Sequence, residues 1–300
     1  MRIFLKFLRT GLIPGSLLLT AMVFAADQQR ETILAEVATS SATTGTPQWL
    51  ETGSGKFMGL FENELTGKPR GGAILLPPIG AHPNWPGVIR QIRTTLPHYG
   101  WSTLSIQMPV VASSGTLQDY ADTLPEATAR ITAAINFMVS QGIRNIALIG
   151  SGLGAAGGAA YLAAKPDAGI QAFIGISLSG YKVIGGWLYS PTSISKLALP
   201  MLDIYGSLDH RHVLDSADAR AEAVRQAIHN SADKFKQGAF EHSATAESVQ
   251  TRRAGYIAFR QIMIVGANAE YSGTEKQLVK RIVGWLKQHA GGIAVEKSNS

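Results

Sequence analysis

Apolar residues in this chain fall into short continuous runs separated by longer segments of helical period. Residues 57–62, 73–76, 101–107, 145–149, 172–178, 201–205 and 260–265 read as strands. Between them, 86–96, 127–139, 217–228 and 274–289 read as helices, the second carrying Ile131, Ile135 and Met138 on one face. Pro86 suits the first turn of its helix, where a missing N–H goes unused. TGKPRGG at 66–72 supplies turn residues between the first two strands. The alternation predicts an α/β protein, a mostly parallel sheet with helices on both faces, over 49–290. No internal repeat or second-domain boundary is visible. The polar, Ser/Thr/Ala-rich stretch before it (26–48) reads as a flexible lead-in with a short helix at 31–37, and 291–300 as a disordered tail. Residues 108–119 read as an irregular excursion, 179–197 as a cap insertion and 229–252 as a surface excursion.

The middle of the chain is the most informative stretch. NIALIGSGLGAAGGAAYLA at 145–163 is a buried strand, a sharp glycine turn and a helix of small residues. Two kinds of site use that plan: the G-x-S-x-G nucleophile elbow and the G-x-G-x-x-G dinucleotide fingerprint. As an elbow, Gly150 and Gly154 are the outer glycines and the nucleophile slot holds Gly152.

Composition and charge narrow the setting. With 45% apolar and 16% charged residues in 300, the chain can bury a large core. The net charge is +6. Three of those charges, Arg2, Lys6 and Arg9, lie in a basic N-terminal stretch followed by an apolar run over 11–24 and a small-x-small pattern at Val23-Phe24-Ala25. That is the pattern of a secretory signal peptide (1–25), and the run is short for a bilayer span. Cleavage would leave about +3, too little for a dedicated nucleic-acid binder, and no transmembrane span. No cysteine is present, which excludes a disulfide or a lipoprotein site. The expected location is the periplasm.

The order of elements resembles the α/β-hydrolase fold. PPIGAHPNWPG (77–87), GWSTL (100–104), PMLDIYG (200–206) and RIVGWL (281–286) also resemble an exported proteobacterial group known as domain of unknown function 3530. The resemblance spans roughly 71–286. It implies fold and export more than activity, because fold does not fix function. A working hydrolase of this fold needs Ser, then an acid, then His in chain order. The resemblance places the nucleophile at Gly152, which keeps a strained turn and removes the reactive group. Ser151 is the rescue candidate, but a shifted elbow would be flanked by Ile149 and Leu153 instead of glycines. The acid slot is Asp209, and the base slot falls near Ala269, with Tyr271 following. No His stands there; Glu270 is a weak substitute, and His242 and His289 do not fit. Backbone N–H groups of Ile79 and Leu153 are the expected oxyanion donors, able to hold a small acidic ligand at a helix start.

Rival readings are weaker. The fingerprint Gly152-Leu153-Gly154-Ala155-Ala156-Gly157 lacks the acid expected at the end of the next strand, which closes Ile176-Ser177-Leu178-Ser179. Asp209, His210, His212 and Asp215 could be drawn as a metal site, but no third ligand has convincing spacing. No metal or cofactor is expected. Trp85, Trp101 and Trp285 read as packing residues, and Trp187, in the cap segment, as the one placed to touch a ligand. Two functions follow. One is a catalytically degenerate relative that binds a small-molecule or acyl ligand or serves as an envelope factor, its protein partners unspecified. The other is an esterase-type serine hydrolase with a non-standard site using Ser151 and Asp209.

Overall fold

Each central strand has an unbroken buried run, and its period of two sends alternate residues into different cores. Ile74, Leu76, Leu104, Leu148 and Phe173 share one core with Ile131 and Ala134. Ala73, Leu75, Ala147, Ile149, Ile174 and Leu202 share the other with Ile92, Ile282 and Trp285. A sheet buried on both faces needs such runs. The computed structural model describes residues 27–78, 80–182, 186–241 and 257–290, without the side chains of 232–241. The expected signal peptide, the tail, His242 and Ile79 lie outside the described residues.

The strands are β1 (Thr46–Thr52), β2 (Gly55–Glu62), β3 (Gly71–Leu76), β4 (Trp101–Ile106), β5 (Ile146–Ser151), β6 (Ile170–Ile176), β7 (Met201–Leu208) and β8 (Phe259–Asn268). They form an eight-stranded sheet in the order β1-β2-β4-β3-β5-β6-β7-β8. β1/β2 and β2/β4 are antiparallel and every later pair is parallel. The helices are α1 (Gln28–Ser41), α2 (Val88–Thr95), α3 (Leu117–Asp122), α4 (Leu124–Ser140), α5 (Leu153–Ala164), α6 (Ser190–Ile194), α7 (Arg211–Leu214), α8 (Ala217–Glu241) and α9 (Glu275–His289). Among the described residues, no helix is long and apolar enough to cross a membrane.

Two sequence expectations change. The lead-in holds α1, fourteen residues long and capped by Asp27, whose side chain accepts from the Arg30 N–H at 3.0 Å. Its buried face is Ala35 and Ala38 on Met58 and Leu60. Glu31 fixes it further by meeting Arg130 Nη2 at 2.9 Å. Small residues and one carboxylate made that face look polar in sequence. β1 was missed for a related reason: it is an edge strand with one fully buried residue, Leu50.

α5 is buried at every position from Leu153 to Leu162. Its glycines let it lie against the sheet: a Cβ on Gly154 would sit 2.2 Å from the Pro77 carbonyl oxygen. Buried ion pairs tie helices to strands at Arg93–Glu62, 2.9 Å, and Arg220–Asp203, 2.8 Å.

Candidate functional site

β5 ends at Ser151, and α5 begins two residues on. Gly152 between them has φ 56° and ψ −123°. That backbone conformation is open to glycine and strained for other residues. The flanks fix the frame. A Cβ on Gly150 would lie 2.4 Å from Ala155 Cα, and one on Gly154 would strike the Pro77 and Leu76 carbonyls. A Cβ on Gly152 would meet, as its nearest described neighbour, Pro78 Cβ at 3.4 Å, an ordinary contact. The turn therefore has room for a side chain at Gly152, and the chain supplies none. Ser151 is buried, and its hydroxyl, which opens on the cavity described below, makes no hydrogen bond among the described residues.

The acid slot is occupied and already satisfied. Asp209, just past β7, is buried. Its Oδ2 accepts from Ser177 Oγ at 2.5 Å and from the Gly206 N–H at 3.3 Å, and its Oδ1 accepts from the His210 N–H at 2.8 Å. Ser177 follows β6 and sits in the left-handed region at φ 51°, held by its N–H to the Ile204 carbonyl at 2.8 Å. The Gly152 N–H donates to Ile176 at 2.9 Å, so Ser177 stands beside the elbow.

Past β8, Ala269 and Glu270 reach the site, while Tyr271 turns into the core. Tyr271 is fully buried at φ 57°, and its hydroxyl donates to the Ile204 carbonyl at 3.2 Å and lies 3.4 Å from Ser177 Oγ. Burial pushes its pKa far above the ordinary phenol value. It holds the floor beneath Asp209 as a neutral hydroxyl.

Ser177, Ala269 and Glu270 border a cavity of about 290 Å³ at the carboxyl ends of the strands, where ligands of open α/β sheets bind. Trp85, Pro86, Val88, Ile89 and Leu117 form an apolar wall. Ser151, Gly152, Leu153, Ser177, Tyr181, His212 and Glu270 are among the other lining residues, with Ser179, His210 and Ala269 beside them. Two helices start there, α2 at Val88 and α5 at Leu153. Neither has a side-chain cap or an acidic residue in its first turn.

His212 is held from two sides. Its Nδ1 accepts from the Gly180 N–H at 3.2 Å, and its ring stacks on Tyr181 with centroids 3.7 Å apart. Burial, and then the neighbouring His210, lower its pKa below the usual imidazole value. The metal arrangement drawn from sequence is not assembled: Asp209 turns to Ser177, and Asp215 faces Arg211 at the surface. Among the described residues, no group of three metal-ligating side chains occurs.

Trp187 is not a ligand contact. It is buried among Leu153, Ala156 and Ala160 and donates from Nε1 to the Ala121 carbonyl at 2.9 Å. Trp85 takes the wall position instead, 39% exposed and edge-on to His82. Within the cap segment, α6 and a bridge between Gly180 and Tyr189 pack it onto α5, and Ser179 and Tyr181 face the cavity. Ser177 was missed in sequence because a serine after a strand carries no motif. Its only signal is position, at the end of the strand after the elbow.

A larger open groove of about 1140 Å³ is lined by α1, the β1–β2 hairpin, α3 and α4. Its floor is the Glu31–Arg130–Glu126 ion network, with carboxylates already engaged.

Strand order, elbow and acid turn define this as a protein of the α/β-hydrolase fold. The chain matches the family described as "Protein of unknown function (DUF3530)" over residues 20–129 and 119–254, and it belongs to that family. No curated protein sequence matches it. Among solved structures it is similar to Est1E from Butyrivibrio proteoclasticus, at 13% identity and TM-score 0.55, covering 83% of this chain and 100% of that one. A dienelactone hydrolase from Anabaena variabilis is similar at 14% and 0.56, covering 82% and 98%. XC6422 from Xanthomonas campestris, a serine hydrolase without lid, is similar at 14% and 0.51, covering 82% and 95%. Identities this low establish the fold alone.

Proposed function

We propose that this protein is an exported, catalytically degenerate α/β-hydrolase relative that binds a small acyl or acidic molecule in the cavity above Gly152. The observation that carries the reading is the elbow itself. Gly152 has the strained conformation that presents a nucleophile, between two glycines that admit no side chain, and it has no side chain to present. The partners support the same reading. A Ser-His-Asp relay needs an imidazole between nucleophile and acid. Here Ala269 stands in the base slot, and the acid accepts from Ser177 and two backbone N–H groups. Export rests on the basic, apolar and small-residue pattern of 1–25, and a periplasmic location follows from it.

The test is labelling of the purified protein with a fluorophosphonate probe, alongside Ser151→Ala and Ser177→Ala. The expected result is no covalent labelling of the folded protein. Labelling that disappears in Ser151→Ala would establish the esterase alternative built on Ser151 and Asp209. Labelling that disappears in Ser177→Ala would show that Ser177 and Asp209 form an active dyad. Either outcome ends the degenerate reading.

A further inference from the structure

We propose that the ligand of this cavity is a short aliphatic carboxylate, its carboxyl group held at the starts of α2 and α5 by Ser151 and its chain lying on the Trp85–Leu117 wall. The inference rests on the binding reading above and goes further by naming the ligand's chemistry. Four observations carry it. First, two helix N-termini converge on one cavity, at Val88 and at Leu153. Both lack a capping side chain and a first-turn acid. Each helix leaves its first N–H groups without intrahelical partners, and its dipole favours negative charge there. Proteins commonly place Asp, Ser or Thr at such positions; here both caps are glycines, Gly87 and Gly152. In α2 the Arg90 N–H already donates to the Trp85 carbonyl at 3.0 Å, and the first N–H groups, of Val88, Ile89 and Leu153, have no partner among the described residues.

Second, Ser151 is 5% exposed and lines the cavity, and its hydroxyl has no partner among the described residues. That hydroxyl opens on the cavity space, where it is placed to bond with an oxygen of a bound molecule. Third, His210 and His212 stand on the rim, their rings 5.7 Å apart. His212 accepts at Nδ1, so its proton is on Nε2 and available as a donor. Fourth, one wall is Trp85, Pro86, Val88, Ile89 and Leu117, which offers an alkyl chain apolar contact and, the Trp85 indole N–H apart, no side-chain hydrogen bond. At about 290 Å³ the space is at the small end of ligand sites, which run to ~1,000 Å³. Glu270 is the carboxylate among the lining residues, and it opposes an anion.

The experiment is calorimetric titration of the purified protein with hexanoate, 1-hexanol and methyl hexanoate, with displacement of the neutral dye Nile red as an independent readout of cavity occupancy. Hexanoate is expected to bind at least about tenfold more tightly than either neutral analogue, a difference of about 1.4 kcal/mol. Ser151→Ala is expected to weaken hexanoate about tenfold and 1-hexanol by clearly less. Glu270→Gln, at the exposed rim, is expected to tighten hexanoate, and it keeps the test decisive if the buried Ser151→Ala chain folds poorly. Equal affinity for hexanoate and 1-hexanol, or Nile red binding that hexanoate does not displace, overturns the carboxylate assignment and leaves the binding reading standing. Absence of binding by all four probes overturns both.

Discussion

Ser177 Oγ donates to Asp209 Oδ2 at 2.5 Å, so the residue in the acid slot of the fold is bonded to a serine and not to an imidazole. Restoring the nucleophile alone therefore does not restore chemistry. Gly152→Ser is expected to fold, since its Cβ meets Pro78 at an ordinary 3.4 Å. Its φ of 56° should cost about 1–3 kcal/mol of stability. Turnover of p-nitrophenyl acetate by the variant should stay at the wild-type level. A rise of a hundredfold or more would mean that a base is within reach.

Glycines of one helix should divide by what surrounds them. Gly154→Ala puts a methyl group 2.2 Å from a backbone oxygen. That change should reach or exceed the upper end of the ~1–3 kcal/mol cost of overpacking. Gly157→Ala meets nothing closer than Trp187 at 3.6 Å. There the gain in helix propensity should stabilise by about 0.5–1 kcal/mol. Urea midpoints of the two variants measure both. A stable Gly154→Ala protein would show that α5 does not pack on the end of β3 as described.

Arg220 and Asp203 pair at 2.8 Å with both side chains fully buried, and Gln261 Nε2 also donates to Asp203 at 2.9 Å. Arg220→Met strands a carboxylate in the interior and should cost about 3–5 kcal/mol. The double variant Asp203→Leu/Arg220→Met leaves no charge behind and should recover most of that loss. Chemical denaturation of the single and double variants gives the coupling directly. Additive losses would show that the pair does not interact as the geometry requires.

Acidification should weaken the fold through His212. Burial lowers its pKa from 6.5; His210 and Arg220 act in the same direction, and Asp209 opposes them. The folded state then binds fewer protons than the unfolded chain below about pH 6.5, so stability falls as pH drops through that window. Protonation at Nδ1 would also break the bond from Gly180 beside the Tyr181 stack. His82 and His289 shift in the same direction and share the effect. Denaturation midpoints between pH 7.5 and 5.5 should slope less steeply in His212→Gln than in the wild type. Identical slopes would remove His212 from the account.

Local pattern carried most of the fold. The strand runs were legible because a sheet covered on both faces demands continuous apolar residues, and β3, β4 and β5 are buried at every position. The elbow was legible because three glycines at alternate positions serve a turn that excludes side chains from its flanks. α1 was illegible as an anchored helix, since its key partner, Arg130, lies ninety-nine residues away. Trp187 and Trp85 exchanged their expected places because burial of an indole depends on which elements pack beside it.

By itself the sequence determined the order of the parallel strands and most of the helices between them, the glycine at the nucleophile slot and the lack of a histidine in the loop after the last strand, because each depends on residue type and short-range spacing. Tertiary structure alone decided that Ser177 reaches Asp209, that Tyr271 closes the floor beneath them, and that the starts of α2 and α5 open on one cavity with Ser151 between. Those relationships join residues from four strands and two helices, and only the twist and packing of the finished sheet bring them within hydrogen-bonding distance.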